Sequence, residues 1–289
     1  MTNLLLSLLA NATVVSSGAI GSKSTTPANS NSDLSLDAYS RPYGVLLEFR
    51  GCYLRAVICG ERSVTFSIVA REPDASLFGV AIASSSPAVA ARCSHARAGV
   101  GAVATQDIAN PALGSAVLDQ LQRGRQADAA VKVALATEPY ASYRQLLAIG
   151  PSGPAVIHCG SHVLDLHGQA IGRHAAAAGN LLASAAVPAA MIESFEQAPG
   201  HFGNRLLTAL QAGLTAGGEA GSIHSAGLLI VRDISWPIVD LRADWTESDP
   251  IAALVAAWNV YAPQIEDYVQ RAWRPMAALS FNVPTVMPP

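Results

Sequence analysis

Charged residues are scarce in this sequence, at 13% of the total, whereas hydrophobic residues make up 51%. So little charge excludes a solvated, disordered chain, because most residues have to pack beneath a thin polar surface. The net charge is -3, from 18 Lys and Arg against 21 Asp and Glu, and no basic stripe is present to neutralise phosphates. We expect a folded protein that does not bind nucleic acid, and the high apolar share favours a homo-oligomer with a buried interface.

Cysteine is also scarce. The four cysteines form no C-x-x-C pair, which argues against a disulfide framework and favours a reducing, cytoplasmic location. The apolar run from Leu4 to Leu9 follows no Lys or Arg and ends before Asn11, so it lacks the charged start of a secretory signal. No apolar stretch is long and charge-free enough for a membrane span, and we expect no membrane partner.

Several familiar catalytic motifs are missing. The sequence contains neither H-E-x-x-H nor G-x-S-x-G, the patterns of zinc peptidases and of many serine hydrolases. The run from Gly99 to Ala104 resembles a dinucleotide fingerprint, but it is itself strand-like and leads into Asn110-Pro111 instead of a helix. We interpret its glycines as permitting close packing of a sheet.

One group of residues has the side chains of metal ligands. Gly160 interrupts any helix that would align its members, so we interpret the group as polar turn residues and expect neither a metal nor an organic cofactor. The group consists of His158, Cys159, His162, Asp165 and His167.

The first part of the chain has little to bury. Ser16 to Asp37 is rich in Ser, Thr, Asn and Gly, which is typical of a loosely ordered segment. Tyr43 to Arg50 can form a short strand, but it has no clear partner. We therefore predict a poorly ordered extension over residues 1–63 and one domain over residues 64–289.

From Val64 onward the pattern is that of strands and helices in groups. Val64 to Val69 and Phe78 to Ala83 alternate with period two around the turn formers Pro73-Asp74, which predicts a β-hairpin. Helical spacing of apolar residues follows in pairs, and Asp249-Pro250 is a helix start. Strands in groups followed by helices in groups favour an α+β fold, a four-layer α-β-β-α sandwich of two antiparallel sheets.

The order of these motifs resembles the family known as domain of unknown function 1028, which is placed in the N-terminal nucleophile (Ntn) hydrolase superfamily. Members of that family open with Met-Thr-Phe-Ser-Ile-Val-Ala-Arg, and the matching segments span about two thirds of the chain. These segments are Thr65 to Arg71, Gly79 to Ser84, Ala96 to Gln106, Asn110-Pro111, Gly179 to Leu182 and Val239 to Arg242.

The resemblance implies an Ntn-hydrolase-like fold and a threonine nucleophile, Thr65, whose own α-amino group is the base. Thr in a strand is otherwise a common structural residue. An internal Thr65 has an amide nitrogen, which cannot accept the proton. Two routes give a free amine. In the first, Val64 is the true initiator, because GUG encodes Val and also works as a bacterial start codon; residues 1–63 would then be an artefact of the start chosen, and removal of the initiator would free Thr65. In the second, the chain cleaves itself between Val64 and Thr65.

The remaining site residues also follow from the resemblance. Asn180 is the candidate oxyanion donor, with a helix N-cap before Leu181 as its alternative interpretation. Five residues are candidates for binding substrate, with Asp240 and Arg242 as a structural or orienting pair. They are Ser67, Ser84, His224, Asp240 and Arg242.

The sequence departs from the family pattern between Gly217 and Ala226, where an Asp-Arg-Arg-Gly-x-Gln-Ser-Ala-like run is usual. Both arginines are missing here, and Ser85 stands where many relatives carry Lys or His. Two functions are therefore open. One is an Ntn-type amidohydrolase that cleaves the C-N bond of a small amide through a Thr acyl-enzyme. The other is a catalytically inactive protein of the same fold that binds a small ligand or a protein partner.

Overall fold

The computed structural model of the chain describes residues 39–41, 44–49, 52–56 and 277 as backbone and residues 64–72, 76–218 and 220–276 in detail. The chain divides into two units, Met1–Ile58 and Cys59–Pro289. In the first unit β1 (Tyr39–Arg41), β2 (Gly44–Phe49) and β3 (Cys52–Ala56) form an antiparallel sheet in the order β1-β2-β3. The strand expected near Gly44 thus has two partners, contrary to the sequence interpretation. Ser16 to Asp37 and the Pro73-Asp74 turn lie outside the described residues.

The second unit alternates groups of strands with groups of helices, as the sequence predicted. Its elements, in chain order, are β4 (Thr65–Glu72), β5 (Leu77–Ser84), α1 (Val89–Cys93), β6 (Ser94–Arg97), β7 (Gly101–Asp107), α2 (Ala112–Gln122), α3 (Ala127–Leu135), β8 (Arg144–Ile149), β9 (Val156–Cys159), β10 (Gly168–Ile171), β11 (Ala175–Asn180), α4 (Val187–Gln197), α5 (Phe202–Thr215), β12 (Ser225–Val231), β13 (Val239–Ala243), α6 (Pro250–Tyr261) and α7 (Ile265–Trp273). Short 3-10 turns occur at Ala141–Tyr143, Ala262–Gln264 and Pro275–Ala277.

The strands of this unit form two antiparallel sheets. The larger has six strands in the order β10-β11-β4-β5-β12-β13, and the smaller has four in the order β6-β7-β8-β9. The predicted hairpin of β4 and β5 lies at the centre of the larger sheet, with Thr65 opposite Ser84. The nucleophile predicted from the resemblance therefore begins a central strand.

Side chains on β4 divide between two cores because successive residues of a strand point to opposite faces. Phe66 and Ile68 pack with α4, α5 and α6 on the outer face of the larger sheet. Val69 points the other way, into a core shared with Leu147 and Ile149 of the smaller sheet. A third core joins the outer face of the smaller sheet to α2 and α3. The layers therefore run helix, sheet, sheet, helix, and the predicted α+β class is confirmed.

Helix boundaries follow the signals read from the sequence. The Asp249 side chain accepts hydrogen bonds from the backbone N–H groups of Ile251 and Ala252, and Pro250 is the first helical residue of α6. Helix α2 ends before Gly124, whose φ of +83° favours glycine. The small residues of β5 have the predicted function, because a Cβ at Gly79 would lie 2.7 Å from the Leu206 side chain. Helix α5 packs directly on this strand.

No helix within the described residues combines the length and the apolar character needed to cross a membrane.

Candidate functional site

Four polar side chains form a continuous row at one end of the larger sheet. Asn180 lies opposite Thr65, Thr65 opposite Ser84, and Ser84 opposite Ser225. Directly opposed residues on neighbouring strands share a face, and this face looks toward the smaller sheet. All four residues are at most 5% exposed. This polar row, Asn180-Thr65-Ser84-Ser225, is the centre of the candidate site.

The Thr65 hydroxyl is held by its neighbour in the row. Its Oγ1 lies 3.1 Å from Ser84 Oγ, and Ser84 Oγ donates a hydrogen bond to the carbonyl oxygen of Val64. A hydroxyl has one proton to donate. Since Ser84 gives its proton to Val64, Thr65 is the donor in the hydroxyl pair.

The peptide group before Thr65 has further partners. The backbone N–H of Ser85 donates to the Val64 carbonyl oxygen at 3.3 Å, and the Val64 N–H donates to Ser85 Oγ at 3.0 Å. Val64 itself is only 4% exposed. The carbonyl next to the predicted nucleophile is thus held by two donors, the arrangement that stabilises a developing oxyanion.

The segment that supplies these donors is braced from two sides. Ser86 N–H donates to Ser84 Oγ at 3.1 Å, and Arg92 Nη2 donates to Ser86 Oγ at 2.9 Å. Ser225 Oγ donates to the Ser86 carbonyl oxygen at 2.6 Å. Residues 84–86 are therefore fixed by Ser225 on β12, itself a member of the polar row, and by Arg92 on α1.

A buried amide network links the polar row to the smaller sheet. Ser67 Oγ donates to Gln106 Oε1 at 2.5 Å, and Gln106 Nε2 donates to Gln145 Oε1 at 2.7 Å. Asn180 Nδ2 donates to the same Gln145 oxygen at 3.3 Å. Gln106 and Gln145 are at most 1% exposed. Buried polar groups are generally hydrogen-bonded, and this network fixes Ser67, two residues beyond Thr65 on β4, and Asn180, opposite Thr65 on β11.

Sequence reasoning missed both glutamines. Gln106 ends a motif shared with the family, and Gln145 begins a predicted strand. Each occupies the inward face of its strand, where an apolar residue is the norm. That position is the signal that identifies them.

Asn180 is the last residue of β11 and does not begin a helix. Leu181 follows with a φ of +51°, and the next helix starts only at Val187. The helix N-cap interpretation of Asn180 is therefore wrong. Its Oδ1 has no hydrogen-bond partner among the described residues. A buried acceptor without a partner, one residue across from Thr65, is suited to receive a donor from a bound molecule.

His224 lies beside the row. Its backbone N–H donates to the Ser84 carbonyl oxygen at 2.9 Å, its ring stacks on Trp245 with centroids 4.4 Å apart, and its Nδ1 lies 2.9 Å from the Thr246 carbonyl oxygen. The His224 ring and Trp245 thus form an aromatic surface at the margin of the site.

The structure does not bring Asp240 and Arg242 to Thr65. The two form an ion pair at 2.7 Å on β13, the edge strand, which is separated from β4 by β5 and β12. Three strand spacings amount to about 14 Å. Both side chains are more than a third exposed, so the pair has the position of a surface contact on the strand.

The residues whose side chains are of metal-ligand type, which the sequence predicts to be polar turn residues, make separate contacts. His158 Nε2 contacts the Ala141 carbonyl oxygen at 3.0 Å, the His162 ring stacks on Tyr143, and His167 Nδ1 contacts the Asp165 carbonyl oxygen. In the part of the chain that the structure describes, no three His, Cys, Asp or Glu side chains form a group able to hold a metal. Gly101 is in β7, and a Cβ there would lie 2.3 Å from the Ile149 carbonyl oxygen, as expected for close sheet packing.

One carboxyl group near the amide network has an unusual pKa. Asp107 ends β7, next to Gln106, and burial raises the pKa of its carboxyl to about 6. The nearby charges of His167 and Arg144 and backbone hydrogen bonds oppose that rise. Asp107 also has a φ of +68°, in the left-handed region where Asp is one of the tolerated residues.

These observations define an α+β protein of two packed antiparallel sheets, with a buried threonine at the start of a central strand. The model of DUF1028, a family of unknown function, matches residues 65–254, and the chain belongs to this family. The chain is 30% identical to protein SPO2555 from Silicibacter pomeroyi, a protein of known crystal structure that is described by the same family model, DUF1028. That likeness covers 71% of this chain and 94% of the other, with a TM-score of 0.65. A search among curated proteins found no match.

Proposed function

We propose that this chain is an Ntn-type amidohydrolase, which cleaves the C-N bond of a small amide with Thr65 as nucleophile. The observation that carries the proposal is the position of the Thr65 hydroxyl. It begins a central strand, is buried between the two sheets, and lies 3.1 Å from Ser84 Oγ in a row of polar side chains. Buried hydroxyls in such a row stabilise a fold less than apolar residues would, which favours a chemical function.

The reaction needs a free α-amino group on Thr65. An α-amino group has a pKa of about 7.7 to 8.0, so roughly a tenth or more of it is neutral at pH 7 and can accept the hydroxyl proton directly or through water. Thr65 Oγ1 then attacks the amide carbonyl carbon. The C-N bond breaks, the leaving amine takes the proton from the α-ammonium, and an ester to Thr65 is left. Water hydrolyses that ester by the same proton transfers.

The groups that hold the Val64 carbonyl have an obvious second use. Ser84 Oγ and the Ser85 N–H donate to that oxygen when residue 64 is attached. Without residue 64 the same donors face the Thr65 hydroxyl, where the substrate oxygen gains negative charge. Such donors lower the barrier by about 3 kcal/mol each. Asn180 supplies a further polar group on the opposite side of Thr65.

Self-cleavage would use the same atoms. Thr65 Oγ1 attacks the Val64 carbonyl carbon, the Val64-Thr65 C-N bond breaks, and the hydroxyl proton passes to the departing nitrogen. Water then hydrolyses the ester, which leaves a Val64 carboxylate and a free Thr65 amine. Translation that starts at residue 64, followed by removal of the initiator, gives the same mature N-terminus.

We also propose, from the composition described above, that the protein is a cytoplasmic homo-oligomer that acts on a small molecule without a cofactor.

A catalytically inactive, ligand-binding or partner-binding protein is the second candidate. The occupation of Ser84 Oγ and Ser85 N–H by the Val64 carbonyl favours it for any chain that retains Val64. In such a chain Thr65 has no base, and the donors proposed for the oxyanion already have an acceptor.

Two chains separate these functions. One begins at Thr65, released from a fusion protein by a protease that cleaves directly before it, and the other comprises residues 1–289. Intact mass establishes the first residue of each, and release of ammonia or amine is measured on a panel of small amides. We expect turnover only from the chain that begins at Thr65. Turnover by chains whose mass still includes Val64, or a folded Thr65-first chain inactive on every amide, would contradict the proposal.

A further inference from the structure

The segment around Ser84 to Ser86 recognises more of residue 64 than its carbonyl group. The carbonyl oxygen accepts hydrogen bonds from the Ser84 hydroxyl and the Ser85 N–H. The N–H on the α-carbon of the same residue donates to Ser85 Oγ at 3.0 Å. The side chain is enclosed with the rest of Val64, which is 4% exposed. A carbonyl, an α-N–H and a small apolar side chain are therefore all accommodated beside the Thr65 hydroxyl.

These contacts are arranged as they would be for a substrate. Thr65 Oγ1 is within hydrogen-bond distance of Ser84 Oγ, the same atom that holds the Val64 carbonyl. In the acyl-enzyme the substrate's acyl group is bound to Thr65 Oγ1, whereas Val64 is an acyl group bound to the Thr65 nitrogen. Both acyl groups are therefore attached to the same residue. Moving the acyl group between these two atoms keeps it next to Ser84 and Ser85.

We propose that Val64 occupies the acyl-binding subsite of the enzyme, and that the substrates are amides of α-N-substituted amino acids with a small apolar side chain. The inference rests on the proposed function and specifies its substrate class. Ser84 Oγ and the Ser85 N–H bind the acyl oxygen, and Ser85 Oγ accepts the α-N–H. Ser85 is the residue that distinguishes an aminoacyl amide from a simple carboxamide.

The difference is one hydrogen bond, whose loss corresponds to about a tenfold change in affinity. The α-N–H of residue 64 donates to the Ser85 hydroxyl. The carbonyl oxygen of the same residue is bound by the Ser84 hydroxyl and by the Ser85 backbone N–H. Replacing Ser85 by Ala removes the acceptor for the α-N–H but leaves the backbone donor. Replacing it by Thr retains both.

The test measures binding to an inactive T65A chain that begins at residue 65, by calorimetry. The matched probes are N-acetyl-L-valine amide and its ester analogue (S)-2-acetoxy-3-methylbutanamide, in which oxygen replaces the α-N–H. We expect the N–H compound to bind about tenfold more tightly. We expect the preference for the N–H compound to be lost in S85A and retained in S85T. Thermal unfolding shows whether both variants are folded.

Each other outcome overturns one statement. Equal affinities of the two probes, no binding of either, or a preference that survives S85A would refute the subsite. Turnover by the active Thr65-first chain is measured separately. Turnover of simple amides without a Ser85-dependent preference refutes the subsite alone, whereas a Ser85-dependent preference without turnover of any amide refutes the proposed function alone.

Discussion

The layer between the two sheets has two unlike halves. One half is apolar, with Val69, Val80, Leu147 and Ile149 completely buried. The other half contains the polar row and the amide network that runs from Ser67 through two glutamines. Both halves are buried, yet a buried amide or hydroxyl costs free energy unless its polar atoms are hydrogen-bonded, and a buried leucine does not. The apolar half therefore accounts for stability, and the polar half is where we locate function.

The largest expected effect separates two buried threonines. In a chain that begins at Thr65, T65A removes the proposed nucleophile and should lower kcat by at least about 10³-fold, while T65S retains activity. Thr105, 1% exposed on β7, is the matched control, and T105A should leave kcat within about twofold. Steady-state amide hydrolysis measures both. Equal loss of activity in the two variants would mean that Thr65 is only structural.

The next effect concerns stability in the apolar half. Leu147 is completely buried between the sheets, so L147A leaves a cavity and should lower the free energy of unfolding by about 2–5 kcal/mol. Leu166, which is 45% exposed, is the control, and L166A should change it by less than about 0.5 kcal/mol. Urea unfolding gives both values. Similar losses at the two leucines would remove the contrast between the halves.

A substitution in the amide network tests whether the polar half combines both properties. Q106L removes the acceptor of the Ser67 hydroxyl and one of the two donors to Gln145 Oε1, and should lower the free energy of unfolding by about 1–3 kcal/mol. Because Gln145 also binds Asn180, kcat should fall as well. Q169L, at an exposed glutamine on β10, should change neither. A Q106L chain more stable than the parent would show that the Gln106 hydrogen bonds do not stabilise the fold.

The smallest effect is that of pH on Asp107. Its pKa is raised from 3.8 to about 6, so the folded chain holds a proton that the unfolded chain has released between these values. The free energy of unfolding attributable to Asp107 therefore falls as pH rises from about 4 through 6. D107N should melt a few degrees higher than the parent at pH 8 and at the same temperature at pH 3.5. A difference that does not change with pH would exclude titration of this carboxyl as its cause.

The fold could be predicted where side-chain pattern decides the structure. The hairpin of β4 and β5, the helices with apolar spacing and the Asp249 cap all have local signals. Ala175 to Ala178 carry none, because four alanines show no alternation and favour helices. Their strand exists because β4 and β10 pair with it on both sides. The elements α1 and β6, of five and four residues, are too short for any period to be recognised.

The site could be predicted only in part, for a similar reason. Thr65 and Ser84 are opposite each other because a hairpin fixes its own register, so one motif places both. Arg242 depends on the order of strands across the sheet, which its own segment does not encode. Gln106 and Gln145 meet through the packing of two sheets. Contacts of that kind depend on the whole chain.

The hydrogen bonds to the Val64 carbonyl have a consequence for measuring this protein. On the proposed function, a chain that retains Val64 carries its own inhibitor, at an effective concentration that no added substrate can match. A mixed preparation would then show kcat reduced in proportion to the unprocessed fraction, with KM unchanged. Specific activity per milligram would report how many N-termini had been processed, and quantifying free Thr65 amines would give the true concentration of active sites.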